Sequence, residues 1–163
     1  MAEYTRPATW EDVKRIASFL QQENVEYALI GGYALGVHGL VRATEDIDVL
    51  VNPSAANSRR WIVALSRLPD GAARELAAEP DVFAAQKRYA VRINDEFTVD
   101  VLPGAAGLSW EELEPYIEEV ELDGVRLRVL SLEGLLKTKQ GARPKDQADA
   151  AAIARALGAL GRR

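Results

Sequence analysis

Apolar residues recur along this chain with two periods, and the period changes several times. Behind Thr9, a helix N-cap residue followed by Glu11 and Asp12, Val13, Ile16, Ala17 and Leu20 repeat at helical spacing and predict a helix over 10–23. A short apolar strand over 27–30 runs into Gly31-Gly32, and a short helix over 33–37 is closed by His38-Gly39. A strand over 47–51 stops at Asn52-Pro53, and Ser54 caps a helix reaching about residue 68. The stretch 69–86 is the least periodic, with a short helix predicted around 73–78. Segments 89–93 and 97–102 alternate around Asn94-Asp95-Glu96, a hairpin signal, and Ser109 begins a short acidic helix. Segments 120–122 and 125–129 flank Asp123-Gly124, a type I′ turn pair. Ser131 caps a helix through about residue 139, 141–144 breaks it, and a last helix covers about 145–160.

The order predicts an α/β (α+β) fold: a small mixed sheet with flanking helices, followed by C-terminal helices. A core over 1–130 is expected, with 131–163 as a helical part packed on the same domain. There is no internal repeat and no low-complexity linker.

Composition narrows the chemistry. The 163 residues are enough for one buried core. With no cysteine there can be no disulfide or thiolate metal site, which fits a reducing compartment. His38 is the single histidine, so multi-histidine zinc sites within one chain are excluded, and any metal must be held mainly by oxygen. The net charge of −5 is a poor footprint for tight nonspecific nucleic-acid binding. The N-terminal residues show no signal-peptide pattern, and the most apolar stretch, 25–41, is broken by Glu26, His38 and four glycines. No membrane association and a cytoplasmic location are therefore expected.

Within the strand over 47–51, Asp48 follows Asp46 by two residues, so both carboxylates face the same side. Their Cα atoms lie about 6–7 Å apart. Their mutual repulsion is roughly 3 kcal/mol at an effective dielectric near 20. A divalent cation between them removes that repulsion. Asp100 is the lone charge in Phe97-Thr98-Val99-Asp100-Val101-Leu102, and a lone acid in a buried strand needs a partner or a metal. If the two strands are neighbours, three carboxylates converge and suit Mg²⁺ or Mn²⁺. Asp46, Asp48 and Asp100 are the candidate metal ligands and catalytic residues. Gly31 and Gly32 would let backbone N–H groups approach a triphosphate.

These residues carry a resemblance. Ile30-Gly31-Gly32, thirteen residues, Asp46-Ile47-Asp48, then Asp100, together with His38-Gly39 and Arg42-Ala43-Thr44, resemble the nucleotidyltransferase superfamily with the DNA polymerase β-type palm. Leu136-Lys137 and Arg143-Pro144-Lys145-Asp146-Gln147-Ala148-Asp149 resemble the basic-acidic helix of its small bacterial stand-alone members, including relatives of AbiEii-type toxins. The resemblance implies an NTP co-substrate, Mg²⁺ or Mn²⁺, and transfer of a nucleoside monophosphate to a hydroxyl with release of pyrophosphate. The acceptor could be tRNA, a protein or a small molecule. A cognate toxin or antitoxin is a further implied partner.

Each residue also has a plainer reading. Asp46-Ile47-Asp48 alone fits the wet face of an edge strand, and Gly31-Gly32 alone fits a turn. Asp100 could be a structural hydrogen-bonding acid. His38 reads as structural, its polar ring meeting free carbonyls at a helix C-terminus. Arg42 is a candidate phosphate contact or a carboxylate partner. Lys137 and Lys145 are candidate nucleotide contacts or solvated helix charges, and Asp146 and Asp149 orient basic neighbours. Ile153, Leu157 and Leu160 read as core. A noncatalytic nucleotide-binding or toxin–antitoxin partner protein on the same fold stays open beside the enzyme.

Overall fold

A computed structural model describes residues 5–40, 44–85, 90–139 and 144–161. In chain order the elements are α1 (Trp10–Gln22), β1 (Tyr27–Ile30), α2 (Gly31–Val37), β2 (Ile47–Val51) and α3 (Ala55–Leu65). They continue with a 3₁₀ segment (Ala72–Ala78), α4 (Val82–Ala85), β3 (Val91–Asn94), β4 (Thr98–Leu102), β5 (Gly104–Ala105) and β6 (Leu108–Ser109). The remainder are α5 (Trp110–Leu113), a 3₁₀ turn (Glu114–Tyr116), β7 (Ile117–Leu122), β8 (Val125–Leu130), α6 (Leu132–Lys137) and α7 (Pro144–Gly161).

Six strands form one mixed sheet in the order β3-β4-β2-β1-β8-β7, and β5 with β6 forms a separate two-stranded ribbon. β2 runs parallel to β4 and β1 parallel to β8; the other neighbours are antiparallel. The sheet's middle is apolar because its strands are. All four residues of β1 are buried, and Ile47, Val49, Val99 and Val101 are 2% exposed or less. α1 packs on α3 and along β8. One continuous core takes in Leu132, Leu135 and Ile153 from the last two helices. Leu157 is partly buried against it, whereas Leu160 is exposed. No helix among the described residues is long and apolar enough to cross a membrane.

Local chemistry sets the element ends. Thr9 and Asp12 close a reciprocal capping box on α1, and Ser54, Ser109 and Ser131 accept from backbone amides at the starts of α3, α5 and α6. Asp123 and Gly124 both take positive φ, 50° and 81°, as a type I′ turn requires.

Several boundaries move. α2 begins on the glycines themselves rather than at residue 33. α3 and α6 end at Leu65 and Lys137, each followed by a turn instead of continuing to 68 and 139. The predicted 73–78 helix is a 3₁₀ segment entered through Gly71 in the left-handed region. β7 is longer than its apolar part: Glu118 and Glu119 fill solvent-facing positions that apolar patterning passes over. Residues 141–143, where a break was predicted, lie outside the described residues, as does Tyr89 at the predicted start of β3.

α2 is docked by its small residues. Gly36 has no room for a Cβ because Trp10 Cζ2 would lie 2.7 Å from it, and Trp10 meets Tyr33 edge-on at 4.9 Å. The Tyr33 hydroxyl donates to the Ala8 carbonyl. His38 sits at the C-terminus of α2 with Nε2 2.9 Å from the Leu130 carbonyl, tying that helix end to the end of β8. Its role in the fold is structural, with the carbonyl supplied by the sheet.

Candidate active site

Register creates the site. β2 and β4 pair in parallel with Asp48 opposite Asp100, while Asp46, expected on the strand, lies in the bend just before β2 and lines the same cleft. The alternate residues Ile47, Val49, Val99 and Val101 point the other way into the core. The strands cannot slip by one residue without burying the carboxylates and exposing the valines. Asp48 and Asp100 therefore share one face of two adjacent strands, and Asp46 borders the same cleft from the bend before β2.

β3 adds an arginine to this face. Its antiparallel pairing with β4 sets Arg92 directly opposite Asp100. Arg92 Nε donates to Asp100 Oδ1 at 2.9 Å, and one Nη donates to Asp100 Oδ2 at 3.1 Å. The same Nη lies 3.5 Å from Asp46 Oδ2. The hydrogen bond to Asp100 and its charge raise the Arg92 guanidinium above its ordinary range, with Asp46 and Asp48 adding to the effect.

The carboxylates open into a cleft of about 840 Å³. Ile30 and Gly31 line one part, Thr44 to Asp46 another, and Ala105 and Ala106 of the small ribbon a third. Thr138, Lys139, Lys145 and Asp146 come from the C-terminal helices and the turn between them. The size suits a nucleotide-sized ligand.

Gly31 is needed here for two reasons. Its φ is +73°, and a Cβ would collide with the Asp48 carboxylate. Gly32 is buried and does not line the cleft; a Cβ there would come within 2.7 Å of Thr44 Cβ. Gly32 thus lets Thr44 close over the start of α2, while Gly31 lets the Asp48 carboxylate lie against the backbone.

The basic candidates separate. Lys145 lines the cleft. Lys137 is not among the cleft residues; its Nζ lies 5.1 Å from the centre of the Tyr116 ring, a cation–π contact. Arg42 lies outside the described residues. Sequence reading passed over Lys139, which borders the cleft and pairs with Asp149 at 3.2 Å and Asp146 at 3.8 Å. All three side chains are nearly buried, so Asp146 and Asp149 hold a basic neighbour, as expected of them. Arg92 was missed as well: the expected turn at 94–96 pairs residue 90 with residue 100, whereas the turn lies at 95–97 and pairs Arg92 with Asp100.

The donor set fits a hard divalent cation. It is all oxygen, Asp48 and Asp100 lie side by side on one sheet face with Asp46 lining the same cleft, and the absent Gly31 side chain lets the Asp48 carboxylate lie against the start of α2. As the side chains stand, no three acids or histidines among the described residues are gathered into a metal-holding cluster. Both Asp100 oxygens are engaged by Arg92.

No family model matches the chain, and no curated protein is similar to it in sequence. Among solved structures, a protein of Thermotoga maritima, provisionally assigned as a nucleotidyltransferase, superposes with a TM-score of 0.57 at 16% identity. That match covers 94% of this chain and 93% of the other. An antigenic nucleotidyltransferase-like protein from Paracoccidioides brasiliensis gives a TM-score of 0.48 at 14% identity, over 91% and 78% of the two chains. The second match is too loose to carry an argument. The first establishes the architecture: this chain has the fold of the Thermotoga protein, and the carboxylate face lies on the sheet of that fold.

Proposed function

We propose that the cleft is the active site of a nucleotidyltransferase. It would transfer a nucleoside monophosphate from an NTP to a hydroxyl of an acceptor and release pyrophosphate. The observation that carries this reading is the Asp48–Asp100 register beside Asp46, which sets three carboxylates at the floor of a nucleotide-sized cleft. The provisional assignment of the Thermotoga neighbour agrees with it.

Asp46, Asp48 and Asp100 would hold Mg²⁺ or Mn²⁺, which when bound neutralises phosphate charge and favours the hydroxyl as nucleophile. Asp100, on β4 between β2 and β3, would accept the acceptor hydroxyl's proton. The backbone at Gly31 can approach the triphosphate because no side chain intervenes. Lys145 would carry positive charge on the wall formed by the C-terminal helices, so 131–163 would complete a site whose floor belongs to 1–130. The work of these residues is positioning and charge compensation, without a covalent enzyme intermediate.

The test is pyrophosphate release with each of the four NTPs, with and without fractionated lysate as a source of acceptors. Label from one NTP in a tRNA, protein or small-molecule fraction, abolished by Asp48→Asn, is the expected result. Nucleotide binding without release in any fraction would instead make this a noncatalytic nucleotide-binding protein.

A further inference from the structure

Arg92 holds the oxygens that a metal ion would need. It sits on β3, the edge strand of the sheet, with Val91 and Ile93 buried on the opposite face and its own side chain 60% exposed. Its fork donates to both oxygens of Asp100 and reaches toward Asp46, whereas Asp100 itself is only 17% exposed. A fork-to-carboxylate pair of this kind occupies a carboxylate in a fixed plane. Three carboxylates in one cleft also need a counter-charge when no divalent cation is bound.

We propose that Arg92 is a built-in counter-cation which exchanges with the divalent ion at Asp100 and Asp46. This rests on reading the cleft as a metal–NTP site. The Asp100 oxygens that face the guanidinium cannot at the same time face a metal ion, so the ion binds only as Arg92 swings out. The swing needs no unpacking, because the guanidinium is in solvent and the strand is anchored by its buried alternate residues. The resting cleft then holds a bare divalent ion poorly. Binding improves when a nucleotide brings further oxygens to the ion and offers the displaced guanidinium phosphates to face.

The test is Mn²⁺ binding followed through the paramagnetic resonance of the free ion, on the whole protein, with and without ATP, each series with ATP read against the same Mn²⁺ and ATP without protein. Wild type, Arg92→Ala, Arg92→Lys and Asp48→Asn are compared after circular dichroism confirms each fold. Losing one partly exposed bidentate pair should tighten Mn²⁺ binding without ATP by roughly three- to ten-fold in Arg92→Ala. Arg92→Lys, which keeps the charge but loses the fork, should fall between. Equal or weaker Mn²⁺ binding by Arg92→Ala, while wild type still binds Mn²⁺ with ATP and Asp48→Asn does not, overturns the exchange and leaves the active-site reading standing. If wild type binds no Mn²⁺ even with ATP, the active-site reading falls and the exchange with it.

Discussion

At Gly31 a hydrogen in place of a methyl group lets the Asp48 carboxylate lie against the backbone at the edge of the cleft. Gly31→Ala places a Cβ against the Asp48 carboxylate at a φ of +73°. The strain alone is worth about 1–3 kcal/mol. Denaturant unfolding should show that loss, and NTP binding should fall with it; unchanged values for both would mean that the backbone relaxes and the glycine serves no close approach. Asp48→Asn acts differently, because it removes one of three like charges while keeping the shape. Pyrophosphate release should drop by roughly 100-fold or more. The melting temperature without metal should hold or rise, since carboxylate repulsion is relieved. A melting temperature lowered by many degrees would make Asp48 a structural acid.

The N-terminus of α1 carries a network of charged side chains. Asp12 is buried, and burial by itself raises its carboxyl. The hydrogen bonds from Arg6 and from the Thr9 amide and hydroxyl outweigh that and hold it below the ordinary carboxylate value. Glu96, in the β3–β4 turn, is lowered by Arg15 first and then by Arg6, which ties the hairpin to α1. Both groups have folded values below their unfolded ones. Their contribution is therefore fully present above the unfolded values and is lost as pH falls through the folded ones. Melting temperature should be flat from neutral pH down to about pH 5 and decline below it. Asp12→Asn should start lower and decline less steeply, and an unaltered slope would show that this network does not set acid stability. The sequence announced the cap, since Thr9 and Asp12 have capping-box spacing. The partners Arg6 and Glu96 lie 90 residues apart, and only the folded chain brings them together.

Across the whole molecule, the cleft joins the sheet to the C-terminal helices, and the lysines test that junction. Lys145→Ala should weaken NTP binding several-fold at low salt and less at moderate salt, because the contact is screened. Lys137→Ala should leave NTP binding unchanged, since its ammonium faces Tyr116. Isothermal titration at two salt concentrations checks both, and equal losses would contradict the placement of the two side chains. Lys139→Ala should instead lower stability by about 1–3 kcal/mol, because two nearly buried carboxylates lose a cation. Denaturant unfolding measures it.

The chain by itself determined the elements whose signals are local. These are the capping residues of α1, α3, α5 and α6, the Asp123-Gly124 turn, the alternation in β4, and the isolated acids Asp48 and Asp100 in apolar strands. Each follows from chemistry within a few residues. Only the tertiary structure decided that β2 lies beside β4 with Asp48 opposite Asp100, that Lys139 rather than Lys137 borders the cleft, and that Gly32 serves Thr44 while Gly31 serves the site. Arg92 stands opposite Asp100 because the hairpin turns one residue later than its pattern predicts, and its reach to Asp46 depends on β2 lying beyond β4. The physical reason is common to all of these. Period and capping act through neighbours in sequence, whereas convergence of charges is set by strand order and register, which the whole core must settle at once.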